Sequence, residues 1–95
     1  MTEREINNRI LFFCVSYNEE YHTDLKPEQC TLLYKKDLVV GQEYWGYCRN
    51  SDKATWTGKE FEYKRYKFGS YYTDTINHFE DDDGYDLFVP VAINI

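Results

Sequence analysis

Long hydrophobic runs are missing from this 95-residue sequence, which limits how it can meet a membrane. The apolar run nearest to the N-terminus, residues 10–15, is only six residues long. A membrane-spanning helix needs about 20 apolar residues, and a signal peptide needs a longer apolar region with a small-residue cleavage site. The sequence therefore predicts neither a membrane span nor a secretion signal.

Cysteine is scarce, and its spacing does not indicate a metal site. Cys14, Cys30 and Cys48 are odd in number, widely separated and form no CxxC pair. Disulfide frameworks use even numbers of cysteines, and structural zinc sites place cysteines in close pairs. We therefore expect free thiols, no metal site and a reducing compartment, the cytoplasm.

The motifs of common catalytic and cofactor sites are also missing. The five glycines are isolated, so no glycine-rich loop is available to hold a phosphate or a dinucleotide. Cys30 or Cys48 with His22 or His78 could form a nucleophile and base pair, but no local signature supports such a pair. The sequence predicts no enzyme activity, no catalytic residue and no cofactor, and a small cysteine-dependent enzyme is the third-ranked alternative.

Basic residues are absent from the last part of the chain. Residues 1–67 contain 11 acidic and 11 basic side chains, whereas residues 68–95 contain six acidic side chains and no lysine or arginine. The whole net charge of −6 at neutral pH therefore arises in the last 28 residues. A segment with charge of one sign repels phosphate and attracts basic surfaces.

Aromatic residues are abundant and indicate the fold class. They form 19% of the chain, and rings pack well on the half-buried surface of a pleated sheet. Short apolar runs separated by turn residues give several candidate strands in a chain of single-domain length. We predict one domain over residues 1–95 that is mainly β, α+β at most. It should contain a small, strongly bent antiparallel sheet or a partly open SH3-like barrel with a long acidic loop.

The N-terminal segment allows two interpretations. Thr2 and Glu5 fit a helix capping box, and apolar side chains follow at helical spacing. Residues 10–15 are also typical of a strand that is buried on both faces. Because rings and β-branched side chains dominate this run, we favour a short helical turn before Asn8 and a strand over residues 10–17.

Turn residues and alternating side chains locate a hairpin in the middle of the chain. Gly58 lies between two candidate strands and predicts a hairpin over residues 54–63, because glycine adopts the positive φ of a tight turn. The alternation of apolar residues then shifts by one position. This shift predicts a β-bulge at residues 64–65.

The C-terminal part combines a predicted loop with a last strand. Residues 69–86 are expected to form a long surface loop with one helical turn over residues 73–79. Pro90 cannot donate to a sheet ladder, so it places the last strand at a sheet edge or beside a bulge. The predicted core consists of Phe12, Val15, Leu33, Val39, Tyr44, Trp45, Trp56, Phe61, Leu87 and Val89.

The acidic part of the loop is the first candidate site. Concentrated negative charge is typical of a docking surface for a basic protein, and tyrosine adds contact area at low entropic cost. We predict non-enzymatic protein binding through Glu80, Asp81, Asp82, Asp83, Tyr85 and Asp86. A solvated acidic loop is the alternative. A calcium loop is disfavoured, because aligning Gly84 with the fixed glycine of an EF-hand puts Phe79 and Pro90 at two ligand positions.

A basic and aromatic stretch is the second candidate site. Between residues 59 and 68, lysines and an arginine alternate with phenylalanines and tyrosines, which is the composition of a groove for single-stranded nucleic acid. The residues of this alternative site are Tyr63, Lys64, Arg65, Tyr66 and Lys67. Glu60 and Glu62 interrupt the stretch and the chain is acidic overall, so ion pairing within the sheet is favoured over nucleic-acid binding.

Four short motifs follow one another in the second half of the chain. They are LVVGQEYWGYCRN over residues 38–50, AxWxGxxF over 54–61, FG at 68–69 and EDDxGYDxFxP over 80–90. With these motifs, residues 38–91 resemble small uncharacterised proteins of tailed bacteriophages and prophages. The resemblance implies a phage accessory protein in the host cytoplasm. Small acidic phage proteins often inhibit host enzymes or defence factors, so by analogy the implied partner is a host factor.

Overall fold

The computed structural model describes residues 1–48, 51–81 and 86–95 of the chain. Within them, one α-helix, α1 (Glu3–Tyr21), precedes all the strands. The strands are β1 (Cys30–Leu32), β2 (Glu43–Cys48), β3 (Ser51–Trp56), β4 (Phe61–Lys67), β5 (Ser70–His78), β6 (Leu87–Phe88) and β7 (Val91–Ile93). They form one sheet in the order β1, β7, β2, β3, β4, β5, β6. The mainly β class is confirmed, but the sheet is mixed, because β5 and β6 are parallel, and it does not close into a barrel.

The N-terminal segment is helical, so the prediction of a strand over residues 10–17 is wrong. The Thr2 side chain accepts a hydrogen bond from the Glu5 backbone N–H at 3.2 Å, and the Glu5 carboxylate accepts one from the Thr2 backbone N–H at 3.2 Å. This capping box begins α1, as the spacing of the two residues predicted. No helix in the described ranges is long and apolar enough to span a membrane.

The buried face of α1 explains why this segment is helical. Ile10, Phe13 and Cys14 are buried against the sheet, whereas Phe12 and Val15, which were predicted to lie in the core, are about half exposed. The buried residues follow the helical period, and burial of this stripe outweighs the β propensity of the individual side chains.

The two faces of the sheet carry separate apolar clusters. Along β2, Tyr44 and Cys48 point to one face and Trp45 and Tyr47 to the other, as the alternation of a strand requires. α1 covers the face of Trp45, where the buried cluster contains Ile10, Phe13, Cys14, Leu25, Phe79, Leu87, Val89 and Val91. The opposite cluster contains Tyr44, Cys48, Ala54, Trp56, Phe61, Tyr63, Ile76 and Phe88. Of the remaining predicted core residues, Leu33 and Trp45 are half-buried, and Val39 is exposed in a turn.

The C-terminal segment joins the two ends of the sheet. β6 pairs with β5 at one edge, and β7 lies between β1 and β2 near the other edge. Because only Val89 and Pro90 separate these strands, the sheet has to bend until its ends approach each other. Gly46 permits this closeness, since a Cβ atom there would lie 2.5 Å from the Phe88 ring.

The strands after the predicted hairpin differ from expectation. The hairpin at Gly58 is confirmed, with a φ of 99° at that glycine. β4 and β5 pair without interruption from Phe61 and Ile76 to Lys67 and Ser70, so no bulge occurs at residues 64–65. Because β5 covers Ser70–His78, the loop predicted over residues 69–86 is wrong in this part, and so is the helical turn predicted over residues 73–79. Pairing with β4 satisfies the backbone of this polar segment, and its tyrosines and threonines suit a strand.

A histidine is fully buried where β5 ends. The Glu80 backbone N–H donates to Nδ1 of His78 at 3.0 Å, so Nε2 carries the proton and donates to the Leu33 carbonyl at 3.1 Å. The imidazole therefore connects the segment after β1 to the end of β5. Burial lowers the pKa of His78, because a charged ring would lose its hydration.

The free energy of unfolding should therefore depend on pH through His78. Its folded pKa lies below the ordinary value of about 6.5, so in the range between them the unfolded chain binds a proton that the folded protein does not. The contribution is complete above about pH 6.5 and decreases as the pH falls toward the folded pKa. Urea unfolding between about pH 5.5 and pH 7.5 should show this loss. His22→Gln, which removes the exposed second histidine, is the control and should show the same loss, whereas a constant stability would contradict the assignment.

Candidate functional site

The acidic tract contacts a lysine from a distant part of the chain. The Glu80 carboxylate accepts a hydrogen bond from the Lys35 backbone N–H at 2.7 Å, and the Asp81 carboxylate forms an ion pair with the Lys35 ammonium. Lys35 lies in a 3₁₀ turn shortly after β1. Both carboxylates therefore take part in holding the fold together. Asp82, Asp83 and Tyr85 of the predicted site lie outside the described residues.

Two further acidic residues of the C-terminal segment also have basic partners. Asp86 Oδ1 lies 3.6 Å from the Arg9 guanidinium of α1, and Asp74 Oδ2 lies 3.4 Å from the Arg65 guanidinium. The charge separation along the sequence is thus reduced in space, because the acidic segment folds back onto basic residues. The described acidic residues of this segment therefore have a structural role.

Removing the charge of Asp81 should destabilise the fold. In Asp81→Asn the Lys35 ammonium loses its partner, and we expect the free energy of unfolding to fall by up to about 1 kcal/mol. Salt should reduce the difference by screening the pair. Asp24→Asn is the matched control, because Asp24 pairs only with the nearby and exposed Lys26 among the described contacts. An Asp81→Asn variant as stable as the wild type in urea unfolding would show that the pair is not structural.

The β4–β5 hairpin extends beyond its neighbours as a two-stranded arm. Among the described residues, β3 pairs with β4 only at Glu62 and Phe61, and β6 pairs with β5 only at Asn77 and His78. We call residues 64–73 the arm, since each of its strands pairs with the other from Lys64 and Thr73 outward. The arm contains four rings, three cations and no carboxylate.

The rings of the arm face solvent. Phe68 and Tyr71 are 87% and 74% exposed, and Tyr66 and Tyr72 are more than half exposed. The Tyr66 and Tyr71 rings contact each other edge to face, with centroids 5.1 Å apart. Four exposed rings on one hairpin form an aromatic surface that contributes little to the buried core.

The turn of the arm is strained. Phe68 and Gly69 have φ values of 51° and 79° between the paired residues Lys67 and Ser70, the geometry of a type I′ turn. Asparagine followed by glycine is preferred in such a turn, because a bulky side chain with positive φ costs about 1–2 kcal/mol. Phe68 therefore neither buries its ring nor suits its backbone conformation, which is typical of a residue kept for a contact.

Relieving this strain should stabilise the fold. Phe68→Asn places a residue that tolerates positive φ at the first turn position, and the free energy of unfolding should rise by about 1 kcal/mol. Phe68→Ala is the matched control, because it also removes the ring but keeps a residue that disfavours this conformation. Urea unfolding of both variants tests the expectation, and equal stability of the two variants would contradict it.

The two faces of the arm differ in chemistry. Lys64 lies on one face with Tyr66 and Tyr71, and its ammonium donates to the Thr73 hydroxyl at 2.8 Å. The other face has a shallow depression of about 460 Å³. It is lined by Arg65, Lys67, Phe68, Tyr72, Thr73 and Asp74. The Lys67 ammonium lies 5.2 Å from the centre of the Phe68 ring, so cation and ring are presented together.

The structure brings together most of the second predicted site. Lys64, Arg65, Tyr66 and Lys67 lie on the arm, whereas Tyr63 is 6% exposed and belongs to the core at its base. Phe68 belonged to the predicted basic and aromatic stretch but not to its site residues, and Tyr71 and Tyr72 were missed because residues 69–86 were placed in a loop. The signals were the glycine after Phe68 and the β propensity of the tyrosines that follow.

The thiols do not lie in the environment of a catalytic nucleophile. Burial raises the pKa of Cys14, and it raises the pKa of Cys30 and of Cys48 to about 12. A reactive cysteine needs a lowered pKa, because the thiolate is the nucleophile. Both ring nitrogens of His78 are engaged by backbone groups. In the described part of the chain, no three histidine, cysteine, aspartate or glutamate side chains are gathered in a way that could hold a metal ion.

No protein-family model matches this chain, and neither a curated protein nor a solved structure is significantly similar to it. Its function therefore has to be inferred from its own geometry. The packing of the fold does not explain why the rings of the arm are exposed and why its turn is strained.

Proposed function

We propose that this chain is a non-enzymatic binding module that contacts its partner with the arm. The observation that carries the proposal is Phe68, which is 87% exposed and has a positive φ at the tip. Neither property stabilises the fold, and strained, exposed residues cluster at sites of contact. The neighbouring exposed tyrosines extend the same surface along both strands.

The geometry of the arm suits binding. Its two strands pair through every position from Lys64 and Thr73 to the turn, so the backbone is ordered before a partner arrives. At its base, Phe61, Tyr63 and Ile76 are buried in the core and fix its direction. A surface that is already ordered loses little conformational entropy on binding, and tyrosine has few rotatable bonds for its contact area.

The arm is favoured over the acidic tract as the contact surface. A basic partner that binds Asp81 has to compete with the Lys35 ammonium, and one that binds Asp86 has to compete with Arg9. Contact with the exposed rings of the arm breaks no such pair. Docking through Glu80 to Asp86 therefore stays a prediction from the sequence, and the arm is the surface that we propose.

The resemblance to phage proteins supports a host component as the partner. Residues 38–91 include the Phe68-Gly69 turn, so the resemblance covers the whole arm. Binding of the arm to such a component would block it by occupying its surface, which is a form of inhibition that needs no catalysis.

Affinity capture tests the proposal. Tagged wild type, an arm variant (Phe68→Asn with Tyr72→Ala) and an acidic-tract variant (Glu80→Gln with Asp81→Asn) should be incubated with bacterial lysate before and after nuclease treatment. We expect the arm variant to capture none of the partners that the wild type captures. The acidic-tract variant should capture the same partners as the wild type. Circular dichroism should show that all three proteins are folded. Equal recovery by the arm variant and the wild type would refute the proposed function.

A further inference from the structure

We infer that the ligand of the arm is single-stranded nucleic acid, an inference that rests on the proposed function of the arm as the binding element. Residues 64–73 combine four rings with Lys64, Arg65 and Lys67, and they contain no aspartate or glutamate. Proteins that bind single strands combine cations that contact phosphates with rings on which bases stack. The arm is the place where the fold presents both groups together.

The exposed rings provide the stacking surface. Tyr72 and Phe68 border the depression on one face, and Tyr66 and Tyr71 lie on the other face. Each of the four rings is more than half exposed, so bases can reach them from solvent. Stacking on such rings tolerates any base, so we expect binding with little sequence preference.

The cations are available beside the rings. Lys64 and Lys67 are exposed, whereas Arg65 is half-buried and held by Asp74 at 3.4 Å. Lys67 already lies over the Phe68 ring, so a phosphate at its ammonium would bring the neighbouring base toward that ring. We therefore assign the two lysines to phosphate contacts and Arg65 to holding the arm in shape.

Unpaired bases fit the arm better than a duplex does. A two-stranded ribbon can enter the major groove of DNA, but readers of that groove use polar side chains such as arginine, asparagine and glutamine against base edges. The arm presents tyrosine and phenylalanine rings, which need bases that are free to leave their stack.

Acidic residues limit the contact to the arm itself. A cleft of about 320 Å³ lies at its base, and Glu43, Asp52 and Glu62 line it together with Lys53 and Lys64. The three carboxylates outnumber the two ammonium groups there, so the cleft disfavours phosphate and a bound strand should not extend far beyond Lys64. The footprint should therefore be short, about four nucleotides, at the lower end of the range for small domains.

Fluorescence anisotropy with labelled dT and rU oligonucleotides of about 12 nucleotides, and with a duplex of the same length, tests the inference. Two phosphate contacts on a single strand predict that affinity falls about sevenfold between about 50 and 200 mM salt. Lys64→Gln and Lys67→Gln should each weaken binding and halve the salt dependence. Tyr72→Ala should weaken binding at least about fivefold and leave the salt dependence unchanged. Lys59→Gln, an exposed lysine outside the arm, is the matched control and should bind like the wild type.

The outcomes separate this inference from the proposed function. If no oligonucleotide binds at low salt, but the arm captures a protein from nuclease-treated lysate, the inference is wrong and the proposed function stands. A preference for the duplex, or unchanged binding by Tyr72→Ala, would also overturn the inference. If changes in the arm alter neither the binding of oligonucleotides nor the capture of lysate proteins, both the inference and the proposed function are wrong. Binding of single strands that needs Tyr72 and both lysines would establish it.

Discussion

The fold depends on how the last strands cross from one edge of the sheet to the other. Phe88 packs against Phe61 with ring centroids 4.5 Å apart, and three residues later Val91 lies in the opposite cluster beneath α1. Because Val89 and Pro90 are the whole connection, the sheet has to bend around Phe88. The close approach of this ring to Gly46 fixes how far it bends. Beyond Glu62, β4 no longer pairs with β3 but continues to pair with β5, and this extension is the arm.

The arm therefore has a base that is packed into the core and a tip with little packing of its own. An isolated two-stranded hairpin is marginally stable in water, so the buried residues Phe61, Tyr63 and Ile76 have to hold the arm in place. Beyond them, backbone pairing and the Tyr66–Tyr71 contact act against the strained Phe68. The turn requires a positive φ at a position where the sequence has phenylalanine, which disfavours that conformation. Such a conflict between residue type and fold is expected at a functional site.

The sequence predicts local features well and long-range ones poorly. The capping box at Thr2 and the hairpin at Gly58 were predictable, because each depends on residues close together in the chain. The helical conformation of residues 10–17 is decided by burial against strands far away in sequence. β5 was missed because residues 70–73 are exposed on both faces and show no alternation. The pairing of Asp81 with Lys35 joins residues 46 positions apart, and nothing in either segment indicates it.

An acidic protein can present a basic contact surface when the two charges are far enough apart. The four residue pairs of the arm extend about 14 Å from the sheet, at about 3.4 Å for each residue. The Debye length is about 10 Å at 0.1 M salt, so the charges of the body are largely screened at the tip. The net charge of −6 then slows the approach of a polyanion, while in the proposed complex Lys67 at the tip and Lys64 nearer the base contact its phosphates. Added salt screens the repulsion that slows the approach and also weakens the lysine–phosphate contacts, so at high salt the remaining affinity comes mainly from stacking on the rings.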